Sequence, residues 1–162
     1  MIGIDPGTAA TGYGVVHASG SALRALDAGV IETASATPLE RRLALIHERV
    51  AALLDEHLPD AMAVEAVYFG QNARSALAVG HARGAALLAA GQRNVECASY
   101  TPQQVKGAVC GHGRAEKAQV QRMVARLLGL GELPRTDHAA DALALAVCHL
   151  NRAPLMAALA RA

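Results

Sequence analysis

Ile2-Gly3-Ile4-Asp5-Pro6-Gly7 opens the chain with an apolar run that ends on a carboxylate and turns at once. Isoleucines at alternate positions predict a buried strand, and Pro6-Gly7 predicts the turn that ends it. Gly12-Tyr13-Gly14-Val15-Val16 is a second run and, after Ser19-Gly20-Ser21, a third closes on Gly29-Val30-Ile31-Glu32. Three antiparallel strands joined by tight turns fit this pattern.

From Thr37-Pro38 the period becomes helical. Leu39, Leu43, Ile46, Val50, Leu53 and Leu54 fall on one stripe, with Pro38 suited to a first helical turn, and Pro59-Asp60 breaks the helix. Ala61 to Val67 reads as a buried strand, residues 72–90 as a second helix and Val95 to Ala98 as a fifth strand. Thr101 is the expected N-cap of a helix running to Val109, the glycine-rich 110–114 is read as a mobile loop, and two more helices follow at about 115–129 and 137–150. The fold class is α/β, a mixed five-stranded sheet flanked by helices, forming one domain over 1–150 with a tail at 151–162 that forms a short helix.

At 162 residues and 52% apolar composition, the chain sustains one core but not two ordinary domains. No apolar run reaches the roughly 20 residues of a bilayer span, so no membrane is expected. Cys97, Cys110 and Cys148 lack any disulfide or zinc spacing, which predicts a reducing cytoplasm. The net charge of +1 hides an asymmetry: residues 1–69 carry four Arg against nine Asp/Glu, whereas 70–135 carry nine Lys/Arg against three Glu. An acidic half beside a basic half is the pattern of a metal-dependent enzyme acting on a polyanion.

Asp5, Glu65 and Asp141 each end or interrupt an apolar run, where a lone carboxylate is costly unless a metal or another charge compensates it. If the Asp5 and Glu65 strands are neighbours, their carboxylates meet at one end of the sheet. His138 and Asp141, or Asp137 and Asp141, share a helix face by i, i+3 and i, i+4 spacing. Such clusters bind one or two divalent cations about 3.5–4 Å apart and activate water for phosphodiester displacement.

These residues carry a resemblance. Ile2 to Gly7 with Thr11-Gly12-Tyr13-Gly14, Glu65 with Asn72 to Leu77, Ala82-Arg83-Gly84, Gln104-Val105-Lys106, Ala115 to Val120 and Ala139 to Ala144, in this order, resemble the RuvC family of Holliday-junction resolvases in the ribonuclease H-like superfamily. The resemblance implies paired, symmetric nicking of a four-way DNA junction in recombination and repair. It implies that Asp5, Glu65, His138 and Asp141 form the metal quartet for Mg²⁺ or Mn²⁺, with about two ions per site. Many members carry Asp where this chain has His138, and an imidazole in that place predicts a preference for Mn²⁺. A homodimer and a branch-migration motor partner are likewise implied.

Lys106 and Lys117 occupy positions that the resemblance associates with DNA binding and catalysis, where an ammonium neutralises charge at the scissile phosphate. Arg74, Arg83 and Arg114 are further candidate DNA contacts, with Arg122, Arg126 and His112 weaker. Asp137 is expected to cap its helix rather than ligate metal. The adjacent rings of Tyr68 and Phe69 cannot both face one core, so one of them is a candidate wedge for opened bases. Ala73, Leu77, Gly80, Gly84 and Leu88 form a stripe expected to pack on the chain's own sheet, with a twofold dimer contact as an addition. Three rivals remain: an actin-like nucleotide hydrolase, whose phosphate loop is similar to Ile4-Asp5-Pro6-Gly7-Thr8, a junction-binding module without chemistry, and an exonuclease on the same scaffold.

Overall fold

Successive side chains along the first strand point to opposite faces of the sheet, and this alternation decides which face receives the carboxylates. The structure, a computed structural model, describes residues 1–67, 73–132, 134 and 136–159, with the backbone alone for 73, 74 and 153–159. Strands β1 (Ile2–Asp5), β2 (Ala10–Ser19) and β3 (Ala22–Glu32) form an antiparallel meander. Helix α1 (Leu39–His57) then crosses to β4 (Ala61–Glu65), which lies parallel to β1, and α2 (Ala73–Gly91) crosses to β5 (Glu96–Tyr100), parallel to β4. The sheet order is β3-β2-β1-β4-β5, the mixed five-stranded sheet expected from the sequence. Helices α3 (Pro102–Cys110), α4 (Lys117–Leu127) and α5 (Asp137–Leu159) complete the chain.

Ile2 and Ile4 of β1 and Met62 and Val64 of β4 point to one face and pack with Ile46, Val50 and Leu54 of α1 and with Ala82, Ala86 and Ala89 of α2. Both isoleucines are fully buried, each contributing roughly 1.5–3 kcal/mol. The opposite face carries Val16 and Ala63 against Leu143, Ala144 and Val147 of α5, with Val105 of α3 and Val120 and Val124 of α4 behind them. Alternation therefore turns Asp5 and Glu65, the last residues of β1 and β4, toward the α5 side.

Helix α5 lies directly on the backbone of β1 and β2. A Cβ at Gly3 would strike the Ala142 carbonyl, and one at Gly12 would strike the carbonyl of His138. Gly14 stands in the same relation to the Leu143 side chain. Absent side chains on the sheet thus set the height and position of the helix that carries His138 and Asp141.

Several details differ from the sequence reading. The stripe on α2 does not face the sheet: Leu77 and Leu88 are 59% and 56% exposed, and a Cβ at Gly80 or Gly84 would meet no other part of the described residues within 4 Å. The sheet instead receives Ala82, Ala86, Ala89 and Ala90, because small alanines let α2 sit close while leucines on the far face remain in solvent. Strand β4 ends at Glu65 rather than Val67, since the Ala66 N–H makes its bond to the Tyr100 carbonyl and beyond Tyr100 the partner strand turns into α3. The same pairing carries β5 on to Tyr100. Thr101 caps α3 as expected, in a reciprocal box with Gln104. Helix α5 continues to Leu159, past the end expected near 150, although Pro154 lies within this stretch.

The close approach of α5 generates a test. Gly12→Ala should cost roughly 1–3 kcal/mol or more, because the first turn of α5 must lift away from β2. Gly91→Ala, at an open helical position, should be neutral or stabilising. Urea denaturation of both variants checks the contrast, and equal stabilities would refute the tight contact.

Candidate active site

Two parallel strands deliver the first two carboxylates side by side. Ile4 pairs with Val64 in the β1–β4 ladder, so Asp5 and Glu65 follow one step later at the same end of the sheet. The turn after Asp5 is closed from within. Thr11 is fully buried, its hydroxyl donates to the Gly7 carbonyl at 2.7 Å, and the Gly7 N–H donates back to Thr11 Oγ1 at 3.3 Å. At the other strand, Arg83 Nε donates to the Glu65 carbonyl at 3.3 Å and Nη2 to Ser99 Oγ at 2.6 Å, tying α2 to the ends of β4 and β5.

The first turn of α5 supplies the rest. Thr136 is the residue that caps it: its Oγ1 accepts from the Ala139 N–H at 3.2 Å, and its carbonyl accepts from the Ala140 N–H. Asp137, expected to cap this helix, turns its carboxylate elsewhere, because the preceding threonine already meets the free N–H. His138 Nδ1 lies 2.7 Å from Asp5 Oδ2, and Asp141 is bonded by the Lys117 ammonium at 3.0 Å. Lys117, at the start of α4, also reaches Asp137 Oδ2 at 3.2 Å, and Gln121 Nε2 donates to Asp137 Oδ1 at 2.8 Å.

Asp5, Glu65, Asp141, Lys106 and Lys117 line one cleft of about 230 Å³, walled by Pro102, Val105, Val120, Ala144 and Leu145. The sequence-nominated carboxylates and lysines are therefore brought together, with His138 beside them through its contact with Asp5. Burial, followed by repulsion from Asp5 and Asp141, pushes the Glu65 carboxyl up to about 7 from its ordinary 4.5, outweighing the opposing effect of Lys117. Burial also raises Asp141, against the pull of Lys117. For Lys117 burial works the other way, yet its bonds to Asp141 and Asp137 raise it overall.

This donor set fits a divalent cation. Three carboxylates and an imidazole offer hard oxygen and one nitrogen ligand, and Glu65, raised by burial and then by Asp5 and Asp141, is a carboxylate whose charge a cation would compensate. Among the described residues no three His, Cys, Asp or Glu are gathered in coordinating positions, because Asp5 is turned to His138 and Asp141 to Lys117.

Arg114 is exposed in the irregular stretch between α3 and α4, and His112 in the same stretch lies 3.5 Å from Gln119. Tyr68, Phe69 and the side chain of Arg74 lie outside the described residues. The sequence reading missed the Gln121–Asp137 contact, for which the available signal was Lys117 and Gln121 at i, i+4 on one helix face.

The chain matches the family model described as crossover junction endodeoxyribonuclease RuvC over residues 1–149. It is 52% identical over 151 residues to the crossover junction endodeoxyribonuclease RuvC of Thermomicrobium roseum, covering 93% of this chain and 92% of that protein. The structure of Thermus thermophilus RuvC in complex with Holliday junction substrate superposes with a TM-score of 0.91 at 42% identity, covering 96% of each chain. The yeast mitochondrial Holliday junction resolvase, 16% identical over 93% of this chain and 78% of its own, shares the fold with a TM-score of 0.63. With a family match that spans the sheet, the cleft and the first turns of α5, this chain belongs to the RuvC family of crossover junction endodeoxyribonucleases.

Proposed function

We propose that this chain resolves four-way DNA junctions by paired, symmetric nicks, acting as a homodimer with one cleft per strand cut. The observation that carries the reading is the single cleft that holds Asp5, Glu65 and Asp141 with Lys106 and Lys117, in a chain of this family. The junction complex of the Thermus thermophilus relative supports the substrate. Asp5, Glu65, Asp141 and His138 hold Mg²⁺ or Mn²⁺, about two ions per site. A metal held there would supply water activation and charge stabilisation at the leaving oxygen.

The chain's own residues do the remainder. Lys106 and Lys117 approach the scissile phosphate from α3 and α4 and offset the charge that develops on it. Arg74, Arg83 and Arg114 contact flanking phosphates, and one ring of the Tyr68–Phe69 pair wedges between bases at the crossover. The second copy docks on the exposed stripe of α2, where Leu77 and Leu88 flank the open Gly80 and Gly84. A cytoplasmic location and a branch-migration motor partner complete the reading. No helix among the described residues is long and apolar enough to cross a membrane.

Asp5→Asn should abolish cleavage of a four-way junction while leaving junction binding intact or tighter, since a repulsive charge is removed. A gel assay comparing junction, linear duplex and single strand with Mg²⁺, Mn²⁺ or EDTA checks this. Cutting of linear duplex at the junction's rate would point to an exonuclease or an unselective nuclease.

Glu65→Gln should also abolish cleavage, yet stabilise the metal-free protein. The folded carboxyl holds its proton to about pH 7 and the unfolded one only to about 4.5, so wild-type stability falls as pH rises between these values. The variant lacks that loss, and above pH 7 it should gain up to about 3 kcal/mol, vanishing near pH 4. Thermal melts in EDTA across this range measure it, and parallel pH profiles would remove Glu65 from the repulsive cluster.

His138→Asp should shift the metal preference from Mn²⁺ toward Mg²⁺, because an oxygen ligand replaces a nitrogen one. The measurement is the ratio of single-turnover rates in the two metals for both proteins. An unchanged ratio would place His138 outside the coordination shell.

A further inference from the structure

Among the described residues, Asp137 is the one carboxylate in the neighbourhood of the cleft whose two oxygens are both engaged from α4. Gln121 Nε2 donates to Oδ1 at 2.8 Å, and the Lys117 ammonium lies 3.2 Å from Oδ2. Lys117 and Gln121 stand four residues apart on α4, so they present their polar ends to the same point on the start of α5. Thr136 already caps α5, which leaves the Asp137 carboxylate no capping task. Its side chain is 66% exposed and the Lys117 side chain 52%, so solvent screens the pair and it adds little to stability. An interaction so weak in stability is of use chiefly through where it puts the lysine.

From this arrangement we infer that Asp137, seated by Gln121, is a positioning residue that keeps the Lys117 ammonium at the mouth of the cleft when Asp141 turns from the lysine to a metal ion. Lys117 has two carboxylate partners, Asp141 at 3.0 Å and Asp137 at 3.2 Å. Only Asp141 lines the cleft with Asp5 and Glu65. Loss of the Asp141 bond leaves a four-carbon stem tethered by Asp137 alone. Without that tether the ammonium disperses over many rotamers, and its offset of charge at the phosphate is lost. Gln121 matters because it fixes which Asp137 oxygen faces the lysine. The inference rests on the proposed role of Lys117 at the scissile phosphate.

The test separates the two. With saturating Mg²⁺, acylation of lysines by an N-hydroxysuccinimide acetate, read by mass spectrometry with Lys106 as internal reference, should be several-fold faster at Lys117 in Asp137→Ala and modestly faster in Gln121→Ala, whereas in EDTA, where Asp141 still holds the ammonium, the change should be smaller. Single-turnover cleavage of a four-way junction should slow by about tenfold in Asp137→Ala, with junction affinity and the half-saturating metal concentration unchanged. Asp137→Glu should recover part of the rate. In a Lys117→Ala background, Asp137→Ala should have no further effect, since both act through one ammonium. An equal loss in that background, a raised metal requirement, or unchanged labelling of Lys117 would overturn the positioning role. Full activity of Lys117→Ala alone would instead overturn the role of Lys117 itself, and the inference with it.

Discussion

The close seating of α5 on β1 and β2 is the constraint on which the site depends. Backbone meets backbone there because Gly3 and Gly12 offer no Cβ to the carbonyls of Ala142 and His138. The helix consequently starts directly over the end of β1, and His138 comes within bonding distance of Asp5 across 133 residues of sequence. Had the strands carried ordinary side chains, the helix would ride several ångströms higher, as packed layers normally do. Strand register then completes the work, since the β1–β4 ladder fixes Asp5 beside Glu65 without any contribution from the site itself.

Bringing carboxylates together in this way raises an electrostatic demand that the fold meets only in part. Glu65 is raised to about 7 by burial and by its neighbours, and Asp141 is raised despite a lysine at 3.0 Å. Proteins tolerate such clusters where the destabilised groups are the working ones. The apolar walls from Val105, Val120 and Leu145 lower the local polarity, which strengthens both the repulsion and the attraction for an incoming cation.

Most of the architecture was legible because it rests on periodicity. Alternating isoleucines fixed the faces of β1, and the three carboxylates at the ends of apolar runs marked the cleft. What escaped the sequence depends on which of several equivalent stripes a helix buries. On α2 alanines fall on every side of the helix and only Leu77, Leu87 and Leu88 are larger than valine among its apolar residues, so the apolar period has no sharp direction, and the reading chose the stripe that the structure leaves in solvent. Asp137 escaped for a different reason. An aspartate at a helix start is ordinarily read as a cap, and only the three-dimensional position of α4 shows that Thr136 caps and Asp137 faces Lys117.

The weakness of the ion pairs around the cleft follows from what the site must do. Lys117 and His138 occupy the carboxylates from exposed positions, with side chains 52% and 48% accessible. A pair as exposed as Lys117–Asp141 contributes about 0–1 kcal/mol, whereas a buried pair broken at one partner costs about 3–5 kcal/mol, and the His138–Asp5 contact, with Asp5 13% accessible, lies between them. A divalent cation and a phosphate backbone can therefore displace the first kind without distorting the protein, but not the second. Placing the carboxylates on strands and on the start of α5, and the lysines on α3 and α4 beyond the sheet, gives each set a separate support. The backbone that carries the carboxylates stays in place while their side chains exchange one cation for another, so the same cleft can be quiet without metal and competent with it.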